Sequence, residues 1–128
     1  MKNILKVFSV AVVSCVILPL TSHAEGDIAS GETIFNKKCK VCHTTAKGDK
    51  AKVGPNLWGI HSKKAGQFEG YKYSKGILAA DLTWDDATLD AYLTKPRDVV
   101  KRGKMVFAGL RKEKERQDMI AYLKTLQD

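Results

Sequence analysis

The five residues Cys39-Lys40-Val41-Cys42-His43 constrain this chain more than anything else in it. Two thiols three positions apart can each add to a vinyl group of one haem, while the imidazole that follows reaches its iron. Whatever fold carries this run must wrap a large planar group. Other uses of a cysteine pair fit less well. A thioredoxin-like redox pair needs a strand-loop-helix setting, and here the pair follows a helical pattern. A zinc site needs four ligands, and beyond the motif only His61 would remain after residue 24. A structural disulfide would leave the adjacent imidazole unexplained. His61 itself lies among Gly59, Ser62, Lys63 and Lys64 and reads as a solvated loop histidine.

Residues 1–24 read as a secretory signal peptide. Lys2 and Lys6 precede an apolar run from Val7 to Leu18, followed by Pro19 and Ser22-His23-Ala24. The run is shorter than the roughly 20 residues that span a bilayer as a helix, and Ser22 and Ala24 suit a peptidase that cuts after Ala24. Val12-Val13-Ser14-Cys15 loosely fits a lipidation box, but the apolar run continues past it to Leu20. Cleavage leaves a domain of residues 25–128. Of the 22 basic side chains only Lys2 and Lys6 are lost, so 20 face 14 acidic ones. A domain of that size buries a modest apolar core, and a bound cofactor would add to it. Composition excludes a disulfide-stapled scaffold and a disordered basic tail.

Asp27 is a good N-cap for a first helix, in which Ile28, Gly31, Ile34 and Phe35 recur at helical spacing up to Lys37-Lys38. From Thr44 to Gly76 there is little periodicity and much glycine. A loop that long inside a small domain implies that it wraps something. Thr83-Trp84-Asp85-Asp86 resembles a capping box opening a helix through Leu89, Tyr92 and Leu93, which must stop near Pro96. A last helix runs from about Lys112 to the end, with Met119, Leu123 and Leu126 on one face and Ile120 beside them. No strand pattern is apparent, so the expected class is all-α, with a few short helices and long loops.

An iron that shuttles electrons needs a second axial partner, since an open position invites oxygen, peroxide or other ligands. Met119 sits on the apolar face of the last helix and reads as core. Met105, between Lys104 and Val106 and flanked by Gly103 and Gly109, has no helical periodicity to explain it and is the natural sixth ligand.

Over residues 25–128 the chain resembles the class I cytochrome c family. The resemblance rests on Cys39 to His43, Gly54-Pro55-Asn56-Leu57, Trp84, Tyr92-Leu93, Pro96, Met105-Val106-Phe107-Ala108-Gly109 and Ile120-Ala121-Tyr122-Leu123-Lys124. It implies one covalent haem c, with thioethers from Cys39 and Cys42 and axial bonds from His43 and Met105. It also implies that the Pro55 carbonyl holds the His43 ring, that Tyr73 and Trp84 hold a haem propionate, and that Tyr92 lies beside the Met105 sulfur. Gly31 and Phe35 would meet Tyr122. For Trp84 and Tyr92, packing alone accounts for the residue type about as well. Lys63, Ile77 and Gly103 depart from the family pattern, where an arginine, a polar amide and a threonine are common, which puts the propionate network and internal water in question.

The function this implies is a periplasmic, soluble, monomeric one-electron carrier rather than an enzyme, with no stable membrane insertion and no nucleic-acid partner. The alternative is a haem peroxidase or gas-binding cytochrome with a labile Met105. The basic residues Lys37, Lys38 and Lys40 flank the attachment site, and Lys95, Arg97, Lys101, Arg102, Lys104, Arg111 and Lys112 bracket Met105. Both groups are expected to border the haem edge and steer it to acidic patches. In the family such patches lie on cytochrome bc complexes, cytochrome oxidases, photosynthetic reaction centres or periplasmic dehydrogenases. Lys47, Lys50, Lys52 and Lys114 read as a solvated face.

Overall fold

Helices from opposite ends of the domain pack on each other and frame everything between them. The structure, a computed structural model, describes residues 25–128; the predicted leader, its cut after Ala24 and Cys15 lie outside the described residues. In chain order the helices are α1 (Ile28–Lys38), α2 (Lys75–Ala79), α3 (Asp86–Thr94), α4 (Pro96–Val99) and α5 (Glu113–Lys124). Among the described residues there is no strand, and a lone antiparallel bridge pairs Lys64 with Thr83. The expected all-α class is the observed one.

The α1 start follows from its cap. The Asp27 carboxylate accepts the Ser30 N–H at 2.6 Å, and Lys37 and Lys38 complement the negative end of the helix. α1 lies against α5 closely enough that a Cβ on Gly31 would sit 2.0 Å from the Asp118 carbonyl and 2.7 Å from Tyr122 Cβ. Glycine is therefore required by the approach of the two backbones. Beside it Phe35 and Tyr122 pack with ring centroids 5.6 Å apart, as the resemblance implies. Asp118 is buried in this contact. It accepts the Asp27 N–H at 2.6 Å and pairs with Lys114, so that lysine does not belong to a free solvated face.

α3 begins two residues later than the Thr83 box predicts. Asp85 is the cap, accepting the Thr88 N–H at 2.8 Å, because Thr83 is engaged in the bridge to Lys64. Trp84 N–H bonds Lys63 O at 2.9 Å, and Trp84 O accepts Ser62 N–H at 2.9 Å, which pins the buried indole between the loop and α3. α2 starts inside the stretch read as loop, capped by Ser74, and α4 follows α3 with Pro96 at its first turn. At five and four residues neither helix is long enough to show a period. α5 ends at Lys124 rather than at the terminus, and Leu126 reaches the core from the tail beyond it.

The rest of the core is Ala65, Ile77 of α2, Leu89 and Leu93 of α3, Val100, Leu110, and Met119, Ile120 and Leu123 of α5. Arg116 ties this core together, donating from Nε to Asp90 at 2.7 Å and from Nη1 to the carbonyls of Leu110 and Arg111 at 3.0 and 3.1 Å. No helix of the described residues is long and apolar enough to cross a membrane.

Candidate cofactor cleft

The last turn of α1 continues into the cysteine motif. Cys39 N–H bonds Phe35 O at 2.8 Å, and the N–H groups of Cys42 and His43 both bond Cys39 O at 3.0 Å. That turn presents both thiols and the imidazole to one cleft of about 540 Å³, which Met105, Tyr73, Trp84, Tyr92 and Pro55 also line. The volume suits a single cofactor-sized ligand.

His43 is held from behind. Its Nδ1 donates to the Pro55 carbonyl at 2.8 Å, which leaves Nε2 as the free ring nitrogen. Burial lowers the pKa of His43, against the opposing pull of the Pro55 bond, so the neutral ring is favoured. Gly54 is needed here for space. A Cβ at that position would fall 2.4 Å from His43 Cε1 and 2.8 Å from Nδ1. The next residue, Asn56, is buried and fully engaged: Nδ2 donates to Ala46 O at 2.8 Å and Asp49 O at 2.9 Å, and Oδ1 accepts Trp58 N–H at 2.7 Å. Sequence reasoning gave Asn56 only as part of the Gly-Pro-Asn run. Its role is to pin the loop after His43 so that the Pro55 carbonyl stays in register.

Met105 sits in the irregular stretch after α4, half-buried. The Tyr92 hydroxyl donates to its sulfur at 3.5 Å, and the Tyr92 ring packs edge-on to Trp84 at 4.8 Å. Burial pushes the Tyr92 pKa up to about 12, so the phenol keeps its proton. Gly109 anchors the far end of the Met105 segment at φ +100°, where a side chain would be strained and its Cβ would lie 2.0 Å from Thr94 O. Leu110 N–H then bonds Leu93 O at 2.8 Å.

Cys39 and Cys42 are half-buried and not joined to each other, and burial pushes the Cys39 thiol up to about 11. The Tyr73 oxygen accepts Phe68 N–H at 3.3 Å, which leaves its own proton to donate elsewhere. Ile77 and Gly103 line the cleft, whereas Lys63 is exposed and does not. Among the described residues no Asp or Glu lines it, and the cations that do are Lys38, Lys72 and Lys104. Lys38 and Lys104 come from the two predicted basic groups; Lys72 was not singled out, because only the folded loop brings it there. Lys37, Lys40, Arg97, Arg102 and Arg111 are exposed outside the lining. Lys95 and Lys101 flank Asp98 at 3.0 and 4.0 Å, and Lys112 lies 3.8 Å from Glu115. His61 is not a solvated loop residue: its side chain is 19% exposed and its Nε2 lies 2.7 Å from Asp86, which also binds Lys124.

The donor set fits an iron porphyrin. One imidazole nitrogen is free and oriented, one thioether sulfur is steadied by a phenol, two thiols sit on a single turn, and the walls are mostly apolar, with no carboxylate among the described residues that line them.

The model of one family, described as cytochrome c, matches residues 28–127. The cytochrome c of Chlamydomonas reinhardtii is 48% identical over 99 residues, covering 77% of this chain and 88% of that protein. The cytochrome c2 of Rhodomicrobium vannielii is 40% identical over 122 residues, covering 94% and 97%. The solved structure of cytochrome cH from Methylobacterium extorquens superposes with a TM-score of 0.73 at 44% identity, over 78% of this chain and 99% of that one.

Proposed function

The chain belongs to the cytochrome c family, and on that premise we propose that it is a soluble, periplasmic one-electron carrier, not an enzyme. Cys39 and Cys42 would hold one haem c by thioethers, and His43 and Met105 would ligate its iron. The carrying observation is that one cleft collects an imidazole locked by Pro55 and a thioether held by Tyr92.

When bound, the haem supplies reversible one-electron chemistry at its iron. The protein contributes the conditions. Pro55 and Tyr92 hold both ligand atoms in place whether or not the electron has arrived, which keeps reorganisation small. Leu57, Ile60, Leu89, Leu93 and Leu123 exclude water from the cleft and favour the less charged state. Among the described residues no carboxylate lines the cleft, and its one imidazole, that of His43, is taken up as the iron ligand, which leaves no free general base for turning over a substrate. The free proton of Tyr73, together with Trp84, suits a buried propionate; Ile77 and Gly103 add no polar partner, and Lys63 points its charge to solvent.

Lys38 and Lys104 at the cleft, with Lys37, Lys40, Lys95, Arg97, Lys101, Arg102, Arg111 and Lys112 around them, steer the protein to acidic patches on a cytochrome bc complex or dehydrogenase as donor and an oxidase or reaction centre as acceptor. Export as a monomer after cleavage at Ala24 fits the leader-like residues 1–24. The similarity to cytochrome c2 extends over more residues than the 104 that follow Ala24.

The test is spectroscopic. Haem-loaded wild-type protein should show the far-red absorption band of iron-methionine bonding when oxidised and resist carbon monoxide when reduced. Met105→Ala should lose the band and bind carbon monoxide. A wild-type protein that already lacks the band and binds the gas is not a carrier of this kind.

A further inference from the structure

His61 does not line the cofactor cleft, yet it is engaged at both ring nitrogens. Its Nε2 lies 2.7 Å from Asp86 of α3, its Nδ1 lies 3.1 Å from the Ser62 hydroxyl, and its side chain is 19% exposed. An ionised carboxylate can only accept, so Nε2 carries a hydrogen and donates it to Asp86. Nδ1 of the neutral ring then accepts from the Ser62 hydroxyl. If Nδ1 gains a proton it becomes a donor, and that hydroxyl, free to rotate, turns to accept. Ser62 is held for this at φ +62°, a conformation few side chains adopt, and its N–H bonds the Trp84 carbonyl at 2.9 Å.

The cluster adjoins the cleft. Ile60 precedes His61, Trp84 precedes Asp85 and Asp86, and both Ile60 and Trp84 line the cleft. The lysines in the lining, Lys38, Lys72 and Lys104, come from other segments, and Lys63 is exposed outside it. On the side of Ile60 and Trp84 the charge that can change near neutral pH is therefore that of His61. Its field reaches the cleft through half-buried Ile60 and buried Trp84, where it is weakened less than through water. The charged groups facing the ring are Asp86 and Asp85 of α3, with Lys124 of α5 on the second oxygen of Asp86, while Lys64 is taken by Asp81. Burial alone would raise the Asp86 pKa, but the hydrogen bonds from Lys124 and His61 outweigh it and lower the value, so the carboxylate stays charged as a counter-ion.

We propose that His61 is a redox-linked proton site: its Nδ1 takes a proton from solvent when the cleft receives an electron and returns it when the electron leaves. The proposal rests on the carrier reading and gives the carrier a second cargo. An arriving electron lowers the positive charge in the cleft by one, which makes a cation at His61 less costly. By reciprocity, protonated His61 favours the reduced state and raises the potential.

The test is a redox titration of haem-loaded wild type, His61→Gln, His61→Lys and Asp86→Asn from pH 5 to pH 8. An unchanged far-red band confirms that each variant keeps its ligands. Wild-type potential should fall as pH rises. His61→Gln should stay near the alkaline wild-type value throughout, and His61→Lys, whose charge is permanent in this range, near the acid one. Asp86→Asn, which removes the counter-ion, should move the fall to lower pH. In weakly buffered solution, reduction by hexaammineruthenium(II), which gives an electron without a proton, should draw on the order of 0.2 protons per electron into wild type and none into His61→Gln. A wild-type potential indifferent to pH overturns the proposal and leaves the carrier reading standing. A fall that persists in His61→Gln puts the proton on another group, such as a haem propionate, and overturns it as well. Wild-type protein that lacks the far-red band and cannot be cycled reversibly by one electron overturns the carrier reading itself.

Discussion

Substituting Gly54 by alanine isolates how tightly the backbone approaches the His43 ring. The added Cβ would lie 2.4 Å from His43 Cε1 and 2.8 and 2.9 Å from its two nitrogens. Gly54 is not among the positive-φ glycines, so the backbone itself accepts alanine and the clash is the whole perturbation. Ordinary contact begins at 3.4 Å, so the ring must retreat by about 1 Å, on the scale at which functional positioning is lost. That motion breaks the 2.8 Å bond from Nδ1 to the Pro55 carbonyl. Losing a buried bond of this kind costs about 1–3 kcal/mol, and overpacking adds about 1–3 kcal/mol. At about 4–8 °C per kcal/mol for a domain of this size, thermal unfolding should fall by at least about 8 °C. The assay is circular dichroism melting of the haem-loaded protein, with Gly48→Ala alongside. Gly48 has φ +81° and nothing within 4 Å of an added Cβ, so its cost is backbone strain of about 1–2 kcal/mol alone. If Gly54→Ala melts within a few degrees of wild type, or no lower than Gly48→Ala, the claim that the loop holds the ring by contact is refuted.

Gly31→Val should lower the denaturant midpoint by the equivalent of at least about 3 kcal/mol, since its Cβ meets the α5 backbone, which cannot move aside as a side chain could; a chemical-denaturation curve decides. Tyr92→Phe keeps the ring on Trp84 but removes the donor to the Met105 sulfur, so the sulfur should donate more strongly to ferric iron and the reduction potential should fall, with stability changed by about 1 kcal/mol or less; a potential that stays constant in redox titration would refute the bond. Hydrogen bonds from Ser30 hold Asp27 below the usual carboxylate range, and those from Thr88 do the same for Asp85. Their folded pKa values are depressed, so their stabilisation is present above about pH 4 and is lost as pH falls through the folded values. The double variant Asp27→Asn, Asp85→Asn keeps capping oxygens but cannot titrate, and should lose less melting temperature between pH 6 and pH 3 than wild type does.

The parts of this protein that local chemistry determines were legible in the chain. Cys39, Cys42 and His43 announce themselves because their chemistry depends on spacing within one turn. α1 and α5 are long enough for Gly31, Phe35, Met119 and Leu123 to show a period. The cap at Asp27 needs only the residues that follow it. Where a local signal competed with a distant partner, the partner won: Thr83 has the composition of a cap but pairs with Lys64, and Asp85 takes over.

Tertiary structure alone decided the rest, because it depends on contacts between residues far apart in sequence. Asp118 reads as one more surface acid on a polar helix, yet it is buried beneath the start of α1, where the Asp27 N–H and Lys114 satisfy it. Lys72 looks like any loop lysine until the fold sets it at the cleft with Lys104 on its carbonyl. Asn56 gains its role from carbonyls of residues 46 and 49, which approach it only when the loop closes. By itself the sequence singled out the two thiols, the imidazole and the thioether that line the cleft. The fold determined how those atoms are held and which lysines reach the cleft, because that geometry comes from the loops closing around it.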